Sequence, residues 1–175
     1  MERESVILIG MPGAGKSTLG ILLAKELGLG FLDTDVAIQV EEEQTLQQIL
    51  EQRGYLQLRA VEERVLLKTD CHKKVIATGG SAVYSDKGMA YLKSCGLIVY
   101  LEVPLKELRD RIHNHETRGI ARRPEQSFSE LFDERAALYR KYADIVIKCD
   151  QHAPGEVIQQ IMEALTLLSR GATNH

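Results

Sequence analysis

A glycine-rich stretch near the amino terminus has the residue types and spacing of a phosphate-binding loop. Residues 10–18 read GMPGAGKST and fit the pattern G-x-x-x-x-G-K-[ST]. The glycines allow successive backbone N–H groups to face inward, and the positive end of the following helix adds to the attraction for an anion. Lys16 would place its ammonium at the β- and γ-phosphates, and Ser17 could bind Mg²⁺. The stretch therefore predicts binding of a nucleoside triphosphate rather than a glycine-rich turn that binds nothing.

Two carboxylates follow the second predicted strand, on either side of one threonine. They are Asp33 and Asp35. In a site for phosphoryl transfer, one carboxylate would help to hold Mg²⁺, directly or through water, and the other would accept or orient the proton of an attacking hydroxyl. The simpler alternative is an aspartate that caps the next helix. The neighbouring phosphate loop favours the catalytic interpretation, because ligands of such sheets bind at the carboxyl ends of the strands.

Two arginines and a glycine pair could bind an acidic acceptor. Arg59 and Glu62 are three residues apart on a predicted helix, so the carboxylate could hold the guanidinium in place to grip a substrate carboxylate. Arg135 could face Arg59 and complete the clamp. Gly79 and Gly80 would let backbone N–H groups approach a substrate closely. The alternatives are a surface salt bridge, a solvated helix arginine and a tight turn.

The long stretch at residues 113–126 has no hydrophobic period and is rich in arginine, which is typical of a mobile lid. An enzyme that transfers phosphoryl groups must exclude water from its nucleotide, and loops that close over the site do this. Arg123, beside Pro124, could meet the charge on the transferring group. A solvated basic loop remains the alternative.

Apolar strands alternate with helices along the whole chain. The strands are predicted at residues 5–9, 31–32, 74–78, 97–101 and 144–148. Because these strands are apolar throughout, they are typical of a parallel sheet that is covered on both faces. We therefore expect an α/β fold with a five-stranded parallel sheet flanked by helices. Residues 1–175 would form a single domain, with acceptor-binding helices at about residues 36–70.

The bulk composition argues against several classes of function. The formal net charge of −3 provides no general basic field for nucleic acid or membrane lipid. No apolar run approaches the ~20 residues of a membrane span, and the first ten residues lack the form of a signal peptide. The cysteines are isolated and have no zinc spacing, which favours reduced thiols. We expect a cytoplasmic monomer that binds neither nucleic acid nor membrane.

Taken together, the motifs resemble the shikimate kinase family, which has the P-loop kinase fold of the nucleoside monophosphate kinases. The similarity extends over residues 5 to about 165. Beyond the phosphate loop it rests on an ordered set of motifs: Asp-Thr-Asp at 33–35, Gly-x-x-x-x-Arg-x-x-Glu at 54–62, Thr-Gly-Gly at 78–80, Arg-Pro at 123–124 and Arg-x-x-Leu-Tyr at 135–139. The resemblance implies an ATP- and Mg²⁺-dependent kinase that phosphorylates a hydroxyl of shikimate, a small acid of aromatic amino-acid biosynthesis.

The resemblance also implies a role for each matching residue. Asp35 would bind the acceptor hydroxyls and act as the base, while Lys16 and Arg123 would neutralise charge in the transition state. Ser17 and Asp33 would hold Mg²⁺. The residues that would bind ATP are Gly13, Ala14, Gly15, Lys16, Ser17, Thr18, Arg111, Arg123 and Pro154. Those that would bind the acceptor are Asp35, Arg59, Gly79, Gly80 and Arg135. Glu62 would fix Arg59.

Several positions depart from the pattern that is usual in the family. Ser81 replaces the third glycine of a triplet, while Tyr55 and Leu58 replace a glutamate and a phenylalanine near Arg59. The lid continues with residues 125–126 as Glu-Gln rather than Leu-Leu, and Lys148 stands where an aspartate is usual. Two alternatives therefore stay open. One is a kinase of the same fold for another small hydroxy acid, a sugar acid or a nucleoside monophosphate, and the other is a nucleotide-binding module without catalysis.

Overall fold

The computed structural model describes residues 4–112 and 119–172, with side chains up to residue 169. Its elements in chain order are β1 (Ser5–Ile9), α1 (Lys16–Leu27), β2 (Gly30–Asp33), α2 (Thr34–Glu42), α3 (Leu46–Lys68), β3 (Lys74–Ala77), a short 3₁₀ helix (Ala82–Tyr84), α4 (Asp86–Cys95), β4 (Gly96–Glu102), α5 (Leu105–Ile112), α6 (Phe128–Tyr142), β5 (Ile145–Lys148) and α7 (Pro154–Ala172). Part of the predicted lid, residues 113–118, lies outside the described residues. No helix in the described ranges is both long and apolar enough to cross a membrane.

The described strands form one parallel sheet in the order β2-β3-β1-β4-β5. This confirms the predicted five-stranded α/β fold. The phosphate loop follows the central strand β1, the two carboxylates follow β2, and the glycine pair follows β3. Because the strands are parallel, all three segments lie at the carboxyl edge of the sheet, where ligands of such folds bind.

Local features of the sequence determine where the helices begin and bend. Gly54, at φ 80° and ψ 169°, is non-helical and divides α3 into two helical parts that meet at a kink. Helix α1 begins at Lys16, directly after Gly15 of the phosphate loop. Capping boxes at Thr45 and Ser127 begin α3 and α6.

Two hydrophobic clusters hold the site in place. The larger one surrounds the sheet, and its members in β1 and β4 are nearly inaccessible to solvent. The smaller one joins α2, α3 and the end of the lid, through Ile38, Ile49, Leu58, Val61, Val65 and Ala121. The smaller cluster therefore fixes α2 and α3 against the end of the lid.

Gly96 begins β4 at a point where the backbone of β1 comes very close. A Cβ atom at this position would lie 1.9 Å from the carbonyl oxygen of Ser5. We expect Gly96→Ala to lower the free energy of unfolding by about 2–4 kcal/mol, because backbone atoms cannot rotate away. Gly155→Ala is the matched control and should be neutral or slightly stabilising, since a Cβ there meets nothing within 4 Å. Urea unfolding measures both variants, and equal midpoints would contradict the close approach.

Candidate active site

The phosphate loop curves around the side chain of Lys16. The ammonium donates hydrogen bonds to the carbonyl oxygens of Gly10 and Met11, each at 2.8 Å. Burial lowers the pKa of Lys16 to about 8, although nearby Asp35 opposes the shift. Gly15 takes a left-handed conformation and precedes α1 without a side-chain cap, so the first N–H groups of this helix are available to an anion.

The two carboxylate oxygens of Asp33 face different partners. Its Oδ1 accepts hydrogen bonds from the backbone N–H groups of Asp35 and Val36, at 2.9 and 3.3 Å, and so caps α2. Its Oδ2 accepts a hydrogen bond of 2.5 Å from the hydroxyl of Ser17. A carboxylate and a hydroxyl side by side are the oxygen donors that Mg²⁺ prefers, so this pair fits the predicted metal ligands.

Asp35 lies in a pocket beside the phosphate loop. Burial raises the pKa of its carboxyl to about 6, with Lys16 acting in the opposite direction. Gly79 at the neighbouring strand end leaves room for two carboxylates: a Cβ there would lie 2.4 Å from Oε1 of Glu62 and 2.6 Å from Oδ1 of Asp35 and would displace these side chains. A carboxyl group with a pKa near neutrality is suited to accepting a proton from a hydroxyl.

The pocket that contains Asp35 is formed by residues from the phosphate loop, α2, α3, the glycine pair, the end of the lid and α6. These residues are Pro12, Lys16, Asp35, Ile38, Leu46, Leu58, Glu62, Gly80, Ser81, Gly119, Ile120, Ala121 and Arg135. Leu58, one of the positions that depart from the family pattern, is thus part of the wall. The pocket combines an apolar side with a cluster of charged groups.

Arg59 and Arg135 converge as predicted, although they come from different helices. Nη2 of each donates a hydrogen bond to the carbonyl oxygen of Ala121, at 3.3 Å for Arg59 and 2.8 Å for Arg135. Arg135 is 1% exposed and lines the acceptor pocket, whereas Arg59 lines an adjoining cleft. The buried Nε atoms of both guanidiniums have no hydrogen-bond partner among the residues that the structure describes. Such unpaired donors fit the binding of an acceptor's carboxylate.

The predicted pairing of Glu62 with Arg59 is wrong in this structure. Glu62 instead accepts a hydrogen bond from the hydroxyl of Ser81. Burial raises the pKa of Glu62 to about 7, and the nearby carboxylate of Asp35 adds to the shift. Ser81 accounts for this partner, because its hydroxyl donates to the carboxylate of Glu62 and a glycine at the same position would have no such donor.

A second cleft lies on the other side of the phosphate loop. It is lined by Gly13, Ala14, Gly15, Thr18, Leu19, Arg111, Cys149, His152, Pro154 and Val157. Arg111 donates a hydrogen bond of 3.1 Å to the carbonyl oxygen of Gly13. The structure therefore brings Arg111 and Pro154 to the phosphate loop, where an adenine nucleotide would extend from its phosphates.

Arg123, a predicted site residue, lies away from the other groups of the site. Its side chain is exposed and lines neither the acceptor pocket nor the cleft that contains Arg111. Of the predicted lid, Gly119, Ile120 and Ala121 reach the acceptor pocket. Sequence reasoning missed these pocket-lining residues, and it missed Tyr84 beside the arginines, because none of them belongs to a recognisable motif.

Comparison with known proteins agrees with this geometry. The family model described as "Shikimate kinase" matches residues 12–166. A shikimate kinase of Rhodococcus jostii is 36% identical over 162 residues, which cover 91% of this chain and 96% of that protein. The solved structure of shikimate kinase from Acinetobacter baumannii in complex with shikimate has a TM-score of 0.85 and 33% identity, with 93% of each chain covered. The enzyme from Aquifex aeolicus has a TM-score of 0.78 and 33% identity, covering 93% of this chain and 96% of that one. The chain belongs to the shikimate kinase family.

Proposed function

We propose that this protein transfers the γ-phosphoryl group of ATP to a hydroxyl group of shikimate. The observation that carries the proposal is a single pocket lined by Lys16, Asp35 and Arg135. Lys16 belongs to the phosphate loop, Arg135 is a buried cation, and the carboxyl of Asp35 interacts electrostatically with both. The pocket thus joins a place for the donor phosphates, a proton acceptor and an anchor for an acid.

The transfer itself needs positioning and charge stabilisation more than covalent help from the protein. The acceptor hydroxyl oxygen would bond to the γ-phosphorus while its proton passes to Asp35. The bond from phosphorus to the bridging oxygen breaks, and its electron pair leaves with ADP. Lys16 would stabilise the charge on the phosphate oxygens, and Arg123 would add to this if its exposed segment moves toward the loop. Mg²⁺ held by Ser17 and Asp33 would supply further positive charge there.

Recognition of the acceptor would depend on the arginines. Arg135 and Arg59 would bind the carboxylate of shikimate, helped by the backbone around Gly80. The absence of a side chain at Gly80 supports this arrangement, because a Cβ there would lie 2.7 Å from Nη1 of Arg135. Gly80 is held in place by the hydroxyl of Tyr139, which donates to its carbonyl oxygen at 2.6 Å.

We further propose a cytoplasmic monomer that binds no nucleic acid and no membrane.

A panel of acceptors in one ATP-coupled assay tests the proposal. The purified protein is given Mg²⁺-ATP and, in turn, shikimate, other small hydroxy acids, sugar acids and nucleoside monophosphates, and ADP release is measured. We expect turnover that depends on shikimate and on Mg²⁺. Turnover with a different acceptor would instead support a pocket with a changed specificity. Leu58 and Ser81, which line the pocket and depart from the family pattern, favour this alternative. Tight ATP binding without turnover across the panel would support a non-catalytic module.

A further inference from the structure

Tyr84 lies directly beside the two arginines of the proposed carboxylate clamp. Its ring centroid is 3.6 Å from the Cζ atom of Arg59 and 5.5 Å from the Cζ atom of Arg135. A guanidinium within about 6 Å of an aromatic centroid is attracted to the ring. One neutral ring therefore contacts both cations, which come from α3 and α6.

The ring of Tyr84 is held at both ends. Its backbone N–H donates to the carbonyl oxygen of Ser81 at 3.1 Å, in the 3₁₀ helix that follows the glycine pair. Its hydroxyl donates to Oε2 of Glu134 at 2.9 Å. Glu134 also accepts a 2.8 Å hydrogen bond from Nε2 of Gln126, which is 5% exposed. The position of the ring is thus fixed by contacts that do not involve the arginines.

A ring of this kind orients a guanidinium without using the groups that would bind a substrate. The hydrogen bonds that Arg59 and Arg135 donate to Ala121 use Nη2, and within residues 4–112 and 119–169 neither Nε atom has a hydrogen-bond partner. A carboxylate in the place of Tyr84 would occupy these donors and neutralise the charge. Glu62, the acid expected to hold Arg59, bonds Ser81. Support from an aromatic face thus keeps the positive charge of both arginines and adds no carboxylate that would compete with an anion for their donors.

We propose that Tyr84 is a positioning residue for the acid group of the acceptor. Its ring aligns the guanidiniums of Arg59 and Arg135 so that together they bind one carboxylate. The inference rests on the proposed function, which identifies the acceptor pocket. It adds a role for Tyr84, which lies outside the motifs of the family pattern.

The test compares shikimate with its neutral carboxamide in wild type, Tyr84→Leu and Tyr84→Phe. We expect Tyr84→Leu to raise the KM for shikimate roughly tenfold while the KM for the carboxamide and for ATP stay within about twofold, since only the carboxylate needs the aligned arginines. Tyr84→Phe keeps the ring and should stay within about threefold of wild type. Tyr55→Leu is a matched control, because of the two arginines the ring of Tyr55 lies near Arg59 alone, with its centroid 5.1 Å from Cζ, and its effect should be smaller.

The ratio of the two KM values within each variant is the decisive quantity, because it does not depend on how much of the protein is correctly folded. Calorimetric binding of shikimate and the carboxamide gives the same ratio without turnover. An equal rise in the KM for shikimate and for the carboxamide in Tyr84→Leu would overturn the inference. A fall in kcat with unchanged KM values would overturn it too. A wild-type protein that does not prefer the carboxylate would overturn it as well. The absence of wild-type turnover with a preserved binding preference would instead contradict the proposed function.

Discussion

Replacing Asp35 by asparagine should lower kcat by about 10²- to 10⁴-fold, the range that a positioned general base contributes. Asparagine has nearly the same shape, so it should fit beside Gly79, but it cannot accept the proton of the acceptor hydroxyl. The affinity for ATP should change little, because the hydrogen bonds of the phosphate loop come from Lys16 and backbone groups rather than from Asp35. The expected result is an enzyme that binds its donor and does not transfer.

The measurement combines ADP release at saturating substrates with a titration of ATP binding. Asp110→Asn, on the exposed part of α5, is the matched control and should retain wild-type kcat. Turnover of Asp35→Asn close to that of wild type would contradict the assigned role of the carboxylate. A joint loss of turnover and ATP affinity would show instead that Asp35 acts by shaping the phosphate loop.

The same substitution should make the free protein more stable at neutral pH. The pKa of Asp35 is raised from 3.8 to about 6 by burial. Between these values the native state holds a proton that the unfolded chain releases, so stability falls as the pH rises through this window and the loss is complete above it. Asparagine carries no such charge, and the variant should gain about 1–2 kcal/mol at pH 7.5, with part of the effect lost because Lys16 loses a negative neighbour.

Urea unfolding at two pH values checks this expectation. The variant should exceed wild type at pH 7.5 and match it near pH 4, where the carboxyl of the native protein is also neutral. The pKa of Glu62 is raised from 4.5 to about 7 by burial and by the charge of Asp35, so the neutral asparagine should also ease the ionisation of Glu62 and add to the gain at pH 7.5. A variant that is no more stable than wild type at pH 7.5 would contradict the burial of a charged Asp35.

The parts of the site that could be predicted from the sequence are local in the chain. The phosphate loop and the Asp33–Asp35 segment each combine a strand, a turn and the start of a helix within a few residues, so their geometry follows from their own backbone. The interpretation of Asp33 as a cap and as a metal ligand looked like a choice. The two interpretations are compatible, because one oxygen of the carboxylate caps α2 and the other faces the hydroxyl of Ser17.

The parts that could not be predicted depend on how distant elements pack. The hydroxyl that donates to Glu62 belongs to Ser81, 19 residues further along the chain, and a contact at this separation leaves no local signal in the sequence. The contact of Tyr84 with Arg59 and Arg135 requires that α3, α6 and the 3₁₀ helix meet at one point. No periodicity or motif encodes such a meeting, so a lone tyrosine after a glycine pair carried no signal.

Arg135→Lys should raise the KM for shikimate by roughly 100-fold, because lysine keeps the charge but loses the planar fork that binds a carboxylate through two hydrogen bonds. The effect should be large at this residue because Arg135 is 1% exposed and lines the acceptor pocket, where little water can compensate for the lost donors. We expect kcat to fall much less, since the guanidinium does not contact the reacting oxygen in the proposed mechanism.

Arg59→Lys is the matched comparison and should raise the KM for shikimate only about tenfold, because a partly exposed ion pair is weaker than a buried one. Arg59 is the less buried of the two and lines the adjoining cleft rather than the pocket itself. Steady-state kinetics with shikimate and its carboxamide separate the loss of the carboxylate contact from a general loss of binding. A larger rise in the KM for shikimate in Arg59→Lys than in Arg135→Lys would contradict this expectation. It would indicate that the carboxylate binds in the adjoining cleft, mainly to Arg59.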